Sequence, residues 1–247
     1  MAQAAQEKVL IGASVALVAA LAWVLTLMHA NGMHAMDGMD MEPQGWSVAR
    51  VAELFGMWLA MMSAMMLPAT FPMTNAFAAI NQRRRERETP YVATAFFVAG
   101  YLIAWAAFSA LAVLVQWGLE SAGLLNEMMA ATSTTLSGVL FLVAGLYQWT
   151  PLKEVCLARC RSPVGFVLTE WRDGPLGAIV MGLRHGMFCV GCCAALMLLL
   201  FAVAVMNLLW VAALCVLVMA EKLLPGGRIL RHAIGAGLTV AGIVLLL

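Results

Sequence analysis

The chain has 247 residues, of which 64% are hydrophobic and only 11% charged, against roughly 25% charged in an ordinary soluble domain. That composition speaks against a soluble enzyme or binding module and predicts an all-α, polytopic transmembrane helical bundle of six or seven spans. A formal net charge of +1 leaves no basic excess, so no nucleic-acid partner is expected.

Residues 9–28 form the first apolar run, about the 20 residues needed to cross a hydrocarbon core of ~30 Å. The run is too long for a signal-peptide core and no small-residue cleavage site follows it, so it reads as a retained anchor. Residues 28–46, MHANGMHAMDGMDMEPQGW, then place five methionines, two histidines and three acidic residues in a Gly-containing loop. A polar loop offers methionine no core to fill. His29, Met33, His34 and Met36 supply imidazole and thioether donors suited to collecting copper(I), or copper(II) through histidine and carboxylate. A disordered tether enriched in methionine by chance is the alternative. Residues 1–46 are thus expected to form an anchor helix and an extracytoplasmic loop, and residues 47–247 the helical bundle domain.

The second span is expected over residues 47–67, with Pro68 and Pro72 stopping it. Met57, Met61 and Met65 repeat at i, i+4 and i+8, and Met62 and Met66 lie on a flank. Such a row is either adaptable packing or a copper(I) site or path, since thioethers do both. Arg83 to Glu88, RRRERE, reads as a cationic turn outside the bilayer. A third span follows over 91–117, then an acidic loop with Glu120 and Glu127, then a fourth span over 132–149. Residues 150–173 are hydrophilic and set Cys156 and Cys160 four apart, on one side of a helical turn. A pair of this kind is a weak signal for a metal or a cycling dithiol.

The densest chemistry lies in His185 to Cys193, HGMFCVGCC. At 3.6 residues per turn His185, Cys189 and Cys192 share one helical face, with Cys193 alongside and Met197 further on and off that face. Imidazole and thiolate together suit copper(I), zinc or an iron centre such as haem iron, whereas magnesium and calcium ask for oxygens. The alternative is packing, because cysteine is a small hydrophobe and Gly186 and Gly191 could break the helix and scatter the donors. Residues 174–205 are too many for one perpendicular helix, so an interfacial or re-entrant piece is expected to about Gly186, and a fifth span from Met187. Arg184 is then a snorkelling residue or a counter-charge for the thiolates. A sixth span over 207–220 leads to Glu221, Lys222 and a Pro225-Gly226-Gly227 turn. In the seventh, over 229–247, Ala233, Gly237 and Ala241 are spaced for close helix packing.

Orientation follows from the basic residues. With the N-terminus inside, Lys8, Arg83, Arg84, Arg85, Arg87, Lys153, Arg159, Arg161, Arg172, Lys222, Arg228 and Arg231 fall on the cytoplasmic side, twelve of the fourteen. The expected location is the bacterial inner membrane, with the Met/His loop outside and Cys156 and Cys160 facing the cytoplasm.

MWLAMMSAMMLP (57–68), YQWTPLKEVCLARCRSP (147–163), RHGMFCVGCCAALM (184–197) and the Glu221-Lys222 pair resemble an uncharacterised bacterial family, domain of unknown function 2182, described as predicted metal-binding integral membrane proteins. The resemblance runs from the second span onward. It implies a polytopic inner-membrane protein with a metal site at the Met row and the His/Cys cluster, and it lends no reaction. Residues and resemblance together lead to copper(I) binding for transport, delivery or storage. The expected partners are the lipid bilayer, the metal ion and another membrane protein or a metallochaperone. A membrane oxidoreductase with a metal, haem or dithiol centre is the alternative from another class, and a structural or assembly subunit of a membrane metalloprotein is a third.

Overall fold

The computed structural model describes residues 2–35, 45–87, 91–126, 128–224 and 226–247, with the side chains of 2–8, 10–11 and 33–35 outside that description. Among the described residues the chain is helical, without a β-strand. The elements are α1 (Ala2–Ala35), α2 (Val48–Glu86), α3 (Thr94–Ser121), α4 (Thr134–Tyr147), α5 (Pro151–Cys160), α6 (Pro163–Glu170), α7 (Gly174–Met197), α8 (Leu199–Val203), α9 (Leu208–Leu223) and α10 (Gly227–Leu246). Among the described residues five segments are long and apolar enough to cross a membrane: Gly12–Gly32, Val48–Glu86, Thr94–Ser121, Gly174–Val203 and Gly227–Leu246. A sixth is reached if α4 and α5, bent by 66° at their junction, count as one span. At 16 residues α9 is short for a crossing of about 20, so length and composition support five or six spans and not seven.

Several expected boundaries move. Helix α1 runs on to Ala35, so residues 28–35 are helical and not part of a loop. His29 donates its Nδ1–H to the Leu25 carbonyl one turn back, at 2.9 Å. Residues 36–44, with Met36, lie outside the described residues. Helix α2 does not stop at Pro68; it continues for 39 residues with Pro68 and Pro72 inside it. Proline removes a backbone bond and crowds the preceding turn, and here side chains of other helices bond carbonyls of that turn. The Tyr101 hydroxyl donates to Met66 O at 3.0 Å, and the Cys215 thiol to Met65 O at 3.5 Å. Arg83, Arg84 and Arg85 form the last turn of α2 and Arg87 its C-cap, so this charge run ends a helix and is not a separate turn. Cations at a helix C-terminus also meet its dipole favourably. Glu120 belongs to α3, not to a loop, and pairs with Arg50 at 3.3 Å; Glu127 lies outside the described residues.

Residues 150–173 are largely helical. Thr150 accepts from Lys153 N at 3.3 Å and caps α5, with Pro151 at its first position. Helix α7 is continuous from Gly174 to Met197, so no re-entrant break occurs at Gly186. The glycines that suggested a break are contact points. A Cβ on Gly186 would press on Ala104 of α3, and one on Gly191 would stand 2.7 Å from Cys156 Sγ of α5. Gly100 of α3 lies against the backbone of Ile179 and Leu183, and Gly182 of α7 against that of Phe97 and Tyr101, so α3 and α7 cross in direct main-chain contact.

Helices α4 and α10 pack the same way, through Gly138 and Gly145 on one side and Gly235 and Gly242 on the other. The face of α10 expected to pack is therefore the wrong one. Ala233 and Gly237 are exposed, with open space beside Gly237. The core lies between α2, α3, α7 and α9, where Met61, Met62, Met65, Met66, Trp58 and Trp105 are all at most 1% exposed. Outward faces carry apolar side chains, among them Leu17, Leu21, Leu111, Leu114, Val216, Val240 and Val244.

Candidate metal centre

Helix α7 sets the centre's register. Its 3.6-residue period stacks His185, Cys189 and Cys193 on one side with Cys192 beside them, and all four are at most 3% exposed. Cys189 is the hub. Its Sγ lies 2.9 Å from Lys222 Nζ of α9 and 3.1 Å from the Tyr101 hydroxyl of α3. Cys193 Sγ is 4.0 Å from Met66 Sδ of α2, which is itself 4.0 Å from Lys222 Nζ. From α5, half-buried Cys160 lies beside Cys189 and Cys192. Four thiols and a thioether from three helices, with one ammonium from a fourth, thus share a single buried region.

The thiols are not yet arranged as ligands. Cys192 and Cys193 both donate to the Cys189 carbonyl, at 3.0 and 2.9 Å. Among the described residues no three His, Cys, Asp or Glu side chains converge in metal-holding geometry. A soft ion entering here must draw these two thiols off that carbonyl, a side-chain rotation within reach of a cysteine on a helix. The donor set itself is soft: thiolate and thioether suit copper(I) far better than any hard cation.

His185 sits one turn from Cys189 inside an aromatic box. Its ring stacks on Tyr101 at 5.5 Å and on Phe97 at 6.0 Å, with Phe166 tilted against it at 5.5 Å. Among the described residues its buried Nδ1 has no hydrogen-bond partner, which is uncommon for a buried imidazole. Of the Met row, Met66 is the member that reaches the thiols. Met57, Met61, Met62 and Met65 continue away from it along α2, buried in the same core.

The CxxxC pair of α5 splits its tasks. Cys160 joins the α7 thiols, whereas Cys156 fills the space that the missing side chain of Gly191 leaves. His29 is one turn of α1 away from Leu25 and is not brought to the cluster. Met33, His34 and Met36 cannot be placed there either, since their side chains lie outside the described residues.

Arg184 is not the counter-charge. It points away and pairs with Glu170 of α6. Lys222 holds that position, although it lies 33 residues from Cys189 in the chain. Its neighbour Glu221 turns to α5 and pairs with Lys153 at 2.7 Å, the two side chains 2% and 0% exposed. Met129 and Met206, which sequence reasoning passed over, and Met197 are all buried in the same core as the Met row. Met197, one turn after Cys193, lies about 120° round α7 from His185 and so off the face that His185, Cys189 and Cys192 share. Met129 and Met206 lie in turns, where periodicity predicts nothing.

No curated protein and no solved structure matches the chain. A family model does: the family described as PpoB2, copper chaperone, matches residues 55–245. The match takes in Met57 to Met66, Tyr101, Cys160, His185 to Cys193 and Lys222, and it leaves out residues 1–54 with His29, Met33, His34 and Met36. The soft donor set and the family agree on the element, and the chain belongs to this copper chaperone family.

Proposed function

We propose that the chain is an integral membrane protein that binds copper(I) at the sulfur cluster and hands it on, the Met row leading to the thiols. One observation carries this reading: Cys160, Cys189, Cys192, Cys193 and Met66 are gathered from three helices into one buried region. Softness sets the order of affinity, so the ion rests at the thiolates and passes over the thioethers. The His185 nitrogen without a partner is a further donor at the rim. The apolar outward faces suit a lipid surround, and the polypeptide then has its basic helix ends on the cytoplasmic side.

Copper content of the purified chain tests the site. Cys189→Ser and Cys192→Ser should each lose most of the copper(I) bound by the unsubstituted protein, because a hydroxyl is a poor ligand for a soft ion. His185→Ala should also lose copper. Cys215→Ser is the control, since Cys215 bonds the Met65 carbonyl instead of facing the other thiols. Unchanged copper in both serine variants at Cys189 and Cys192 would leave the cysteines as packing residues and overturn the reading.

The orientation has its own test. Arg50–Glu120 ties the start of α2 to the end of α3, and Arg84–Asp173 ties the end of α2 to the start of α7, so the two ends of the bundle are distinct. In cells, Gly45→Cys should react with a membrane-impermeant maleimide, and Arg85→Cys should react only after lysis. Both reacting from the same side would rule out the proposed topology.

A further inference from the structure

Lys222 ends α9 in the core, 7% exposed. A buried ammonium is costly unless an opposite charge meets it. The adjacent carboxylate does not, because Glu221 Oε2 is taken by Lys153 at 2.7 Å. Nor does any other: among the described residues Lys222 forms no ion pair, and its Nζ lies against Cys189 Sγ at 2.9 Å and Met66 Sδ at 4.0 Å. Arg184, one residue from His185 on α7, is engaged by Glu170. One fixed positive charge is thus aimed at the sulfur cluster.

We propose that Lys222 is the counter-charge that selects a soft monovalent cation for this pocket. The inference rests on the copper(I) reading above. A monovalent ion held between two thiolates makes a unit of one net negative charge, and the ammonium beside it brings the buried assembly to zero. A divalent soft ion in the same two-sulfur arrangement leaves one positive charge over, in surroundings where an uncompensated charge is expensive. The assignment also explains why Glu221 and Lys222, neighbours in sequence, do not neutralise each other. Glu221 serves Lys153, and Lys222 is left for sulfur. Lys222 is a positioning residue, acting on the ion through the thiolates and not as a ligand.

Silver(I) and mercury(II) test this, since both are soft, both favour two thiolates in a line, and they differ in charge. With the full chain purified under reducing conditions, the ratio of silver(I) to mercury(II) affinity is measured by competition for the unsubstituted protein, Lys222→Met, Lys222→Gln and Lys222→Arg. One unit charge a few ångströms from the ion, at an effective dielectric near 20, should change that ratio by about 100-fold. Lys222→Met and Lys222→Gln should therefore shift it toward mercury(II) by that order, and Lys222→Arg should keep it. Lys222→Met adds a thioether, so a loss of silver(I) binding there runs against the gain a new soft donor would bring. Equal loss of both ions in the uncharged variants, or no change in their ratio, would show that Lys222 only shapes the pocket and would overturn the proposal. Should one uncharged variant fail to stay monodisperse, the other against Lys222→Arg decides. An unsubstituted protein that binds neither copper(I) nor silver(I) would instead overturn the copper reading on which this rests.

Discussion

Replacing Glu221 with alanine is expected to destabilise the folded chain by about 3–5 kcal/mol, the usual penalty for removing one partner of a buried ion pair. Lys153 and Glu221 join α5 to α9 with side chains 0% and 2% exposed. Without the carboxylate, the Lys153 ammonium stays in an apolar interior with nothing to balance it. The penalty comes from the stranded charge and not from any strength of the pair itself. The double variant Lys153→Met, Glu221→Leu should therefore recover most of the loss, because it removes both charges and fills a similar volume. Among the described residues the buried Glu221 Oε1 has no partner, so the native pair is itself incompletely satisfied and the apolar replacement forfeits little. Chemical unfolding in detergent, followed by far-UV circular dichroism, would measure both. A double variant as unstable as Glu221→Ala would show that the stranded charge is not the cause. Copper retention should fall with Glu221→Ala as well, since α9 carries Lys222 one residue on, and should return with the double variant.

Gly182→Ala is expected to cost about 2–3 kcal/mol, at the upper end for a side chain forced into a filled site. A Cβ at this position overlaps the Phe97 carbonyl, and one on Gly100 overlaps the Ile179 carbonyl. Main chain cannot rotate aside as a side chain does, so α3 and α7 must separate. The separation reaches the centre directly: Tyr101 follows Gly100 on α3, and its hydroxyl is held 3.1 Å from Cys189 Sγ of α7. Stability and copper retention should fall together. Gly237→Ala on α10 is the matched control, with nothing within 4 Å of the added Cβ, and should be neutral or stabilising by about 0.5–1 kcal/mol through helix propensity. If the two substitutions proved alike in thermal unfolding, the close crossing of α3 and α7 would be wrong.

Both predictions turn on contacts between helices, and that is where legibility in the sequence ended. The apolar runs locate the helices of the bundle because burying or lipid-facing side chains in a helix is a local property, readable from one segment at a time. The placement of His185, Cys189, Cys192 and Cys193 together was legible for the same reason: 3.6 residues per turn fixes which side chains share a face, whatever surrounds the helix. Glycine and proline misled because their local preferences were outweighed. Pro68 stays inside α2 where Tyr101 and Cys215 bond the carbonyls of the preceding turn. Gly186 stays inside α7 because its missing side chain admits α3.

By itself, then, the sequence determined an all-α chain, the soft donors on α7 and the Met row on α2. Only the tertiary structure decided which of those donors meet. Met66 touches Cys193 and its four row-mates extend away. Cys160 reaches the α7 thiols while Cys156 packs on Gly191. The counter-charge is Lys222, at the far end of α9, and not Arg184, one residue from His185. The physical reason is common to all three. Periodicity fixes the angle of a side chain about its own helix axis, but the partner it meets depends on the rotation, depth and crossing of a second helix. Here those are set by glycine contacts and buried ion pairs between segments far apart in the chain, such as Gly138 against Gly242 and Lys153 against Glu221.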